Sequence, residues 1–174
     1  MPSRYRVPTG YLVGVAVFLL ARPSGPSLAA GAGLALLGES IRLWASGHIR
    51  KTELLATGGP YAHSRNPLYV GSSILALGVA VASASLWVVL AVAAYFLAFY
   101  PAAMREEAAF LALKFPEYAD WRREVPMFLP RLAPGGPRSS RFDWGLVRRN
   151  REWRTALALP LLAALLYARG RFLP

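Results

Sequence analysis

The sequence predicts an all-α integral membrane protein with four to five transmembrane helices, on three observations. Hydrophobic residues make up 55% of the 174 residues and the mean hydropathy is +0.35, above the roughly 45–50% apolar content of soluble domains. Several apolar blocks approach the roughly 20 residues that a bilayer span needs. Arginines sit between these blocks, as the positive-inside rule leads one to expect.

That spacing bears on the formal net charge of +11. A nucleic-acid binder spreads its basic residues over a polar face, so no nucleic acid is expected as a partner; the expected partner is the lipid bilayer. Cysteine is absent, which excludes disulfides, a thiolate nucleophile and a cysteine metal site. With His48 and His63 as the only histidines, no metal centre is expected.

The first helix covers residues 7–21, with Pro8 in its first turn. Arg4 and Arg6 ahead of it, and Leu28-Ala29-Ala30 after it, resemble a secretory signal. A second apolar block follows at once, so an uncleaved helical hairpin is expected instead. Arg22-Pro23-Ser24-Gly25-Pro26 breaks the helix. The second helix covers 27–47, where Gly31, Gly33 and Gly38 would let a neighbour approach closely. Glu39 and Arg42 share one of its faces, either as a functional pair or as a self-neutralising pair near the membrane edge.

Residues 68–83 and 86–104 form a tight antiparallel hairpin around the uncharged turn at 82–86. Trp87, Tyr95 and Tyr100 suit interface depth or plain packing. The second arm continues through 105–115 as an amphipathic helix, since its apolar residues keep a helical period. Residues 116–130 are a compact polar-aromatic segment, and 133–140 read as a flexible linker. Arg148, Arg149, Arg151 and Arg154 then precede a last apolar block at 155–168. At about 14 residues, with Pro160 inside, it either spans or lies at the interface; Arg169 and Arg171 beyond it weigh against a span. The whole forms one membrane-embedded domain over 1–174, with 131–174 as linker and C-terminal apolar helix.

The long loops are basic and the short turns nearly neutral, which orients the basic loops to the cytoplasm. Three polar clusters fall on that side: the loop 58–71, the Arg105-Glu106-Glu107 exit, and residues 118–124. Within them Arg65 offers a fork of donors for a carboxylate. Tyr61 and Tyr69 offer hydroxyls and ring faces, and Glu106 and Glu107 accept from ribose hydroxyls or an ammonium. Neighbours on a helix point about 100° apart, so one glutamate of the two faces a pocket. Chemistry alone therefore points to a small charged or amphiphilic molecule handled at the cytoplasmic membrane interface.

The same residues resemble the membrane methyltransferases that include isoprenylcysteine carboxyl methyltransferases and phospholipid N-methyltransferases. Gly59-Pro60-Tyr61, Arg65-Asn66-Pro67, Tyr69 and Gly71 resemble the family's motif before its hairpin. Glu106-Glu107, Tyr118 and Val125-Pro126 resemble the segments after it, and Arg42 its arginine in the preceding helix. The match covers roughly 38–130.

The resemblance implies an integral, multi-pass membrane enzyme using S-adenosylmethionine and releasing S-adenosylhomocysteine. Its active site would face the cytoplasm, with the C-terminal segment enclosing the cofactor and a lipid-like or prenylated molecule accepting the methyl group. Gly59, Pro60, Tyr61, His63, Arg65, Asn66, Tyr69, Glu106 and Glu107 would hold the cofactor, and Arg65, Glu107, Arg42 and Arg123 would serve catalysis. Two departures stand out. Asn66 replaces the usual histidine and cannot act as a base or carry charge, leaving His63 to take part of its role. Glu124 replaces the arginine that precedes Val-Pro in the isoprenylcysteine enzymes, with Arg123 as the nearest substitute. Phospholipid amine methylation and a non-catalytic membrane binding or assembly role are the alternatives.

Overall fold

The computed structural model describes residues 3–135 and 140–172; part of the expected linker, residues 136–139, and the side chains of Arg4 and Arg6 lie outside the described set. Every regular element among the described residues is helical. In chain order they are α1 (Ser3–Leu20), α2 (Gly25–Ser46), a 3-10 helix (Gly59–Ala62), α3 (Pro67–Ser83), α4 (Leu86–Lys114), α5 (Tyr118–Glu124), α6 (Trp144–Arg149) and α7 (Trp153–Phe172). Three of them, α2, α4 and α7, are long and apolar enough to cross a membrane; α1 and α3 are shorter apolar helices.

Small residues set the pairing of α2 with α3. A Cβ on Gly31 would stand 2.5 Å from the Gly78 carbonyl oxygen, and one on Gly38 would stand 2.5 Å from the Leu75 nitrogen. The backbones therefore touch, as helices do when small residues line their interface. Gly33, expected to share this role, has nothing within 4 Å of its Cβ position.

The α3–α4 reversal is as tight as expected, with Ala84 in the left-handed conformation at φ 47°. The second arm runs unbroken for 29 residues through Pro101. The first helix starts earlier than expected, at Ser3, so Pro8 stands inside it, beyond the first turn, where it removes one i→i−4 hydrogen bond.

The C-terminal helix is longer than its apolar block, at 20 residues. Glu152, just before it, meets Arg42 at the far end of α2, while Gly170 lies against Pro23 at the near end. α7 thus runs antiparallel along the whole of α2.

Two small cores hold the ends of the bundle. One joins Val17, Ala21, Ala80, Val88 and Leu166; the other joins Ala45, Tyr61, Phe115, Tyr118, Trp121 and Val125. Between them the helix flanks carry exposed apolar side chains such as Leu12, Leu36, Leu97 and Leu161, a surface compatible with lipid.

Candidate functional site

The loop 58–66 owes its path to Gly59, whose φ of +57° is in the left-handed region and whose Cβ position is 2.6 Å from the His48 ring. Pro60 is the second residue of the 3-10 turn and Pro67 the first of α3, as proline favours a first helical turn. The loop is zipped to the segment after α5. Arg65 N donates to Pro126 O at 2.9 Å, Ser64 Oγ to Phe128 O at 2.9 Å, and Asn66 Nδ2 to Met127 O at 2.8 Å. Arg131 N donates to His63 O at 3.0 Å and Gly135 N to Ala62 O at 2.8 Å.

The zipped loop, α2, α3 and α4 enclose a cavity of about 360 Å³. Arg42, Lys51, Tyr61, Arg65, Asn66, Tyr69, Ser72, Tyr95, Tyr100 and Glu107 line it. A smaller cavity of about 190 Å³ adjoins it, sharing Lys51, Tyr61, Arg65 and Glu107 and adding Phe110 and Trp121. Of the residues singled out in the sequence, Arg42, Tyr61, Arg65, Asn66, Tyr69 and Glu107 thus come together.

The others do not line these cavities. Gly59 shapes the turn. Pro60 and His63 line a separate apolar pocket with Trp44 and Pro130. His63 Nδ1 is 2.8 Å from Arg131 O; a carbonyl only accepts, so Nδ1 carries the proton. Glu106 and Glu107 are both exposed on α4, and of the two it is Glu107 that lines the cavity. Arg123 is exposed on α5 and pairs with Asp120 at 3.3 Å.

Three charged or polar groups define the electrostatics. Arg65 Nη1 donates to Tyr118 Oη at 2.8 Å, while its buried Nε has no hydrogen-bond partner among the described residues. Tyr61 Oη is likewise buried and without a partner, as is Trp121 Nε1. Burial, reinforced by the Glu107 and Glu152 carboxylates, pushes the Tyr61 phenol pKa up, so it stays a neutral donor. Arg42 is clamped: Nε donates to Glu152 Oε1 at 2.7 Å, Nη1 to Ser72 Oγ, and Glu39 lies 3.6 Å away.

Sequence reasoning missed Glu152, Ser72 and Lys51 as parts of this region, whereas Trp121 lies in the 118–124 cluster it expected there. Glu152 had one signal, being the single carboxylate among Arg148, Arg149, Arg151 and Arg154.

The profile of the phospholipid methyltransferase family matches residues 27–117, from the start of α2 to the turn before α5. The chain is 43% identical over 106 residues to the cobalt-zinc-cadmium resistance protein CzcN of Cupriavidus metallidurans, an alignment covering 58% of this chain and 49% of that protein. It is 43% identical over 96 residues to the nickel-cobalt-cadmium resistance protein NccN of Alcaligenes xylosoxydans xylosoxydans, covering 53% of this chain and 44% of that one. The chain therefore spans about half the length of the curated relatives it matches. No solved structure matches it. With the family's profile laid over α2, the loop, the α3–α4 hairpin and the glutamate exit, just over half of its residues, the chain belongs to the phospholipid methyltransferase family.

Proposed function

We propose that the chain is an S-adenosylmethionine-dependent methyltransferase that modifies a lipid-like or prenylated acceptor at the cytoplasmic membrane face. The observation that carries this reading is the pair of orphaned donors, Tyr61 Oη and Arg65 Nε, in the wall of one cavity. A buried donor without an acceptor costs about 1–3 kcal/mol, so the site suits a ligand that brings acceptors. A carboxylate fits Arg65, whose guanidinium is planar and held by Tyr118.

The residues present fit the cofactor. Arg65 would take its carboxylate, Glu107 its ammonium or ribose hydroxyls, and the Tyr69 and Tyr100 rings, packed edge-to-face at 5.0 Å, its cationic centre. When bound, S-adenosylmethionine supplies a methyl group on a sulfonium, and the acceptor's lone pair displaces a neutral thioether. The chain's own residues would then act by positioning, holding the reacting atoms near roughly 3–3.5 Å. A carboxylate acceptor is already ionised at neutral pH and needs no base, whereas an amine must first lose a proton. Glu107 is the cavity carboxylate able to take it. Arg42, held by Glu152, would present a fixed charge on the acceptor side, and Arg123 would act only on the approach to the cavity. Arg50, Lys51 and Arg131 on the surrounding loops, with Arg105 on the same end of α4, support a cytoplasmic orientation.

A second reading, a non-catalytic role on the same scaffold, is favoured by Asn66, whose amide nitrogen is already engaged by Met127 O. The relatives are named for resistance to metal ions, and such a system would need from this chain either a modified membrane component or an assembly partner. Incubation with methyl-labelled cofactor and membrane extract, followed by alkali, separates the readings. Label released as methanol identifies an ester, label retained on lipid identifies an N-methyl group, and no label incorporated favours the non-catalytic role.

A further inference from the structure

At the end of the bundle opposite the polar cavity, the α1–α2 turn, the α3–α4 turn and the end of α7 enclose a second large cavity of about 830 Å³. Its walls combine Leu19, Leu20, Leu86 and Trp87 with the arginines Arg22 and Arg169. Leu86 and Trp87 are 69% and 68% exposed, so nothing among the described residues covers them.

The charge here has a one-sided origin. None of the nine acidic residues falls in 1–38, 54–105 or 153–174, the stretches from which the walls of this hollow are drawn. Arg22 has no ion-pair partner among the described residues. The first turn of α4 also starts here, and its N-cap, Ser85, makes no side-chain cap bond. Cations, an uncapped helix start and exposed apolar side chains thus share one hollow, with no side-chain carboxylate on its walls.

We propose that this hollow binds the anionic headgroup of a membrane phospholipid, with the guanidiniums on the phosphate and the apolar wall along the upper acyl chains. Charge complementarity selects an anion, and the apolar wall at the ends of bilayer-length helices selects an amphiphile over a free ion. The site is separate from the polar cavity and does not depend on methyl transfer.

The test uses the full chain in neutral-detergent micelles. Of the five tryptophans, Trp87 alone lies at this end, so quenching by lipids brominated near the headgroup, taken as wild type minus Trp87→Phe, reports this site. Brominated phosphatidylglycerol should quench at lower mole fraction than brominated phosphatidylcholine, by about fivefold for each arginine engaged. Arg22→Gln with Arg169→Gln should remove that preference. Arg22→Gln alone, at an exposed side chain, should lower it and serves if the double variant unfolds. Equal quenching by the two lipids, or a preference that survives both variants, overturns the proposal. Loss of the preference on adding inorganic phosphate assigns the site to a free anion and also overturns it.

Discussion

Arg42 and Glu152, 110 residues apart in sequence, form a two-pronged pair, with Glu152 Oε1 2.7 Å from Arg42 Nε and 2.6 Å from Nη2. The pair fixes the start of α7 on the cavity end of α2. Glu152 is buried, so removing it strands a charge that water reaches poorly. Glu152→Ala should lose about 2–3 kcal/mol, less than the roughly 3–5 kcal/mol of a fully enclosed pair, because Glu39 remains 3.6 Å away. Chemical denaturation in detergent measures this; an unchanged midpoint would contradict the anchoring role.

The small-residue stripe gives a cleaner contrast. Gly38→Ala must push α2 away from the α3 backbone and should cost about 1–3 kcal/mol, as overpacking does. Gly33→Ala meets nothing within 4 Å and should gain up to about 1 kcal/mol from helix propensity. Thermal unfolding of the two variants side by side should move in opposite directions.

The legible part of the molecule was the part encoded locally. Turn chemistry at Gly58–Gly59–Pro60 and Asn66–Pro67 marked the loop, helical periodicity carried α4 past Met104, and one glutamate of two was expected inward. What the sequence hid depends on contacts between distant segments. Glu152 looked like one more member of an arginine-rich linker, because nothing local pairs it with Arg42. The full length of α7 was masked by Arg154, Arg169 and Arg171 at its ends, which lower the hydropathy without breaking the helix. His63 was expected to take part of the role of the histidine that Asn66 replaces; its Nδ1 donates to the Arg131 carbonyl and its ring lines the separate apolar pocket, a placement set by a partner 68 residues away.

Asn66 links the loop to the segment after α5 through Met127 O at 2.8 Å. Asn66→Ala should cost about 1–3 kcal/mol, the range for an orphaned buried partner. Asn66→Asp should cost more at neutral pH, where a carboxylate faces a carbonyl oxygen, and should recover as acid protonates it. Stability measured against pH for both variants checks the order; Asn66→Asp equal to Ala throughout would refute it.

The segment between α2 and the loop is latched by Arg149 to Glu53. The Arg149 hydrogen bond holds the Glu53 carboxyl below its ordinary 4.5. The folded value is depressed, so the latch is complete above about pH 4.5 and is lost as pH falls through the lowered value. Hydrogen exchange of residues 50–57, corrected for the intrinsic rate, should lose protection on acidification, and Glu53→Gln should abolish that pH dependence.

Cofactor binding at the orphaned donors is the claim on which the functional reading rests. Isothermal titration of S-adenosylmethionine into the purified chain in detergent should give saturable binding at one site. Arg65→Lys, which keeps the charge but loses the planar fork, should weaken it at least about tenfold with the fold unchanged. No binding at millimolar cofactor by a chain whose helices and unfolding transition are intact would contradict the account.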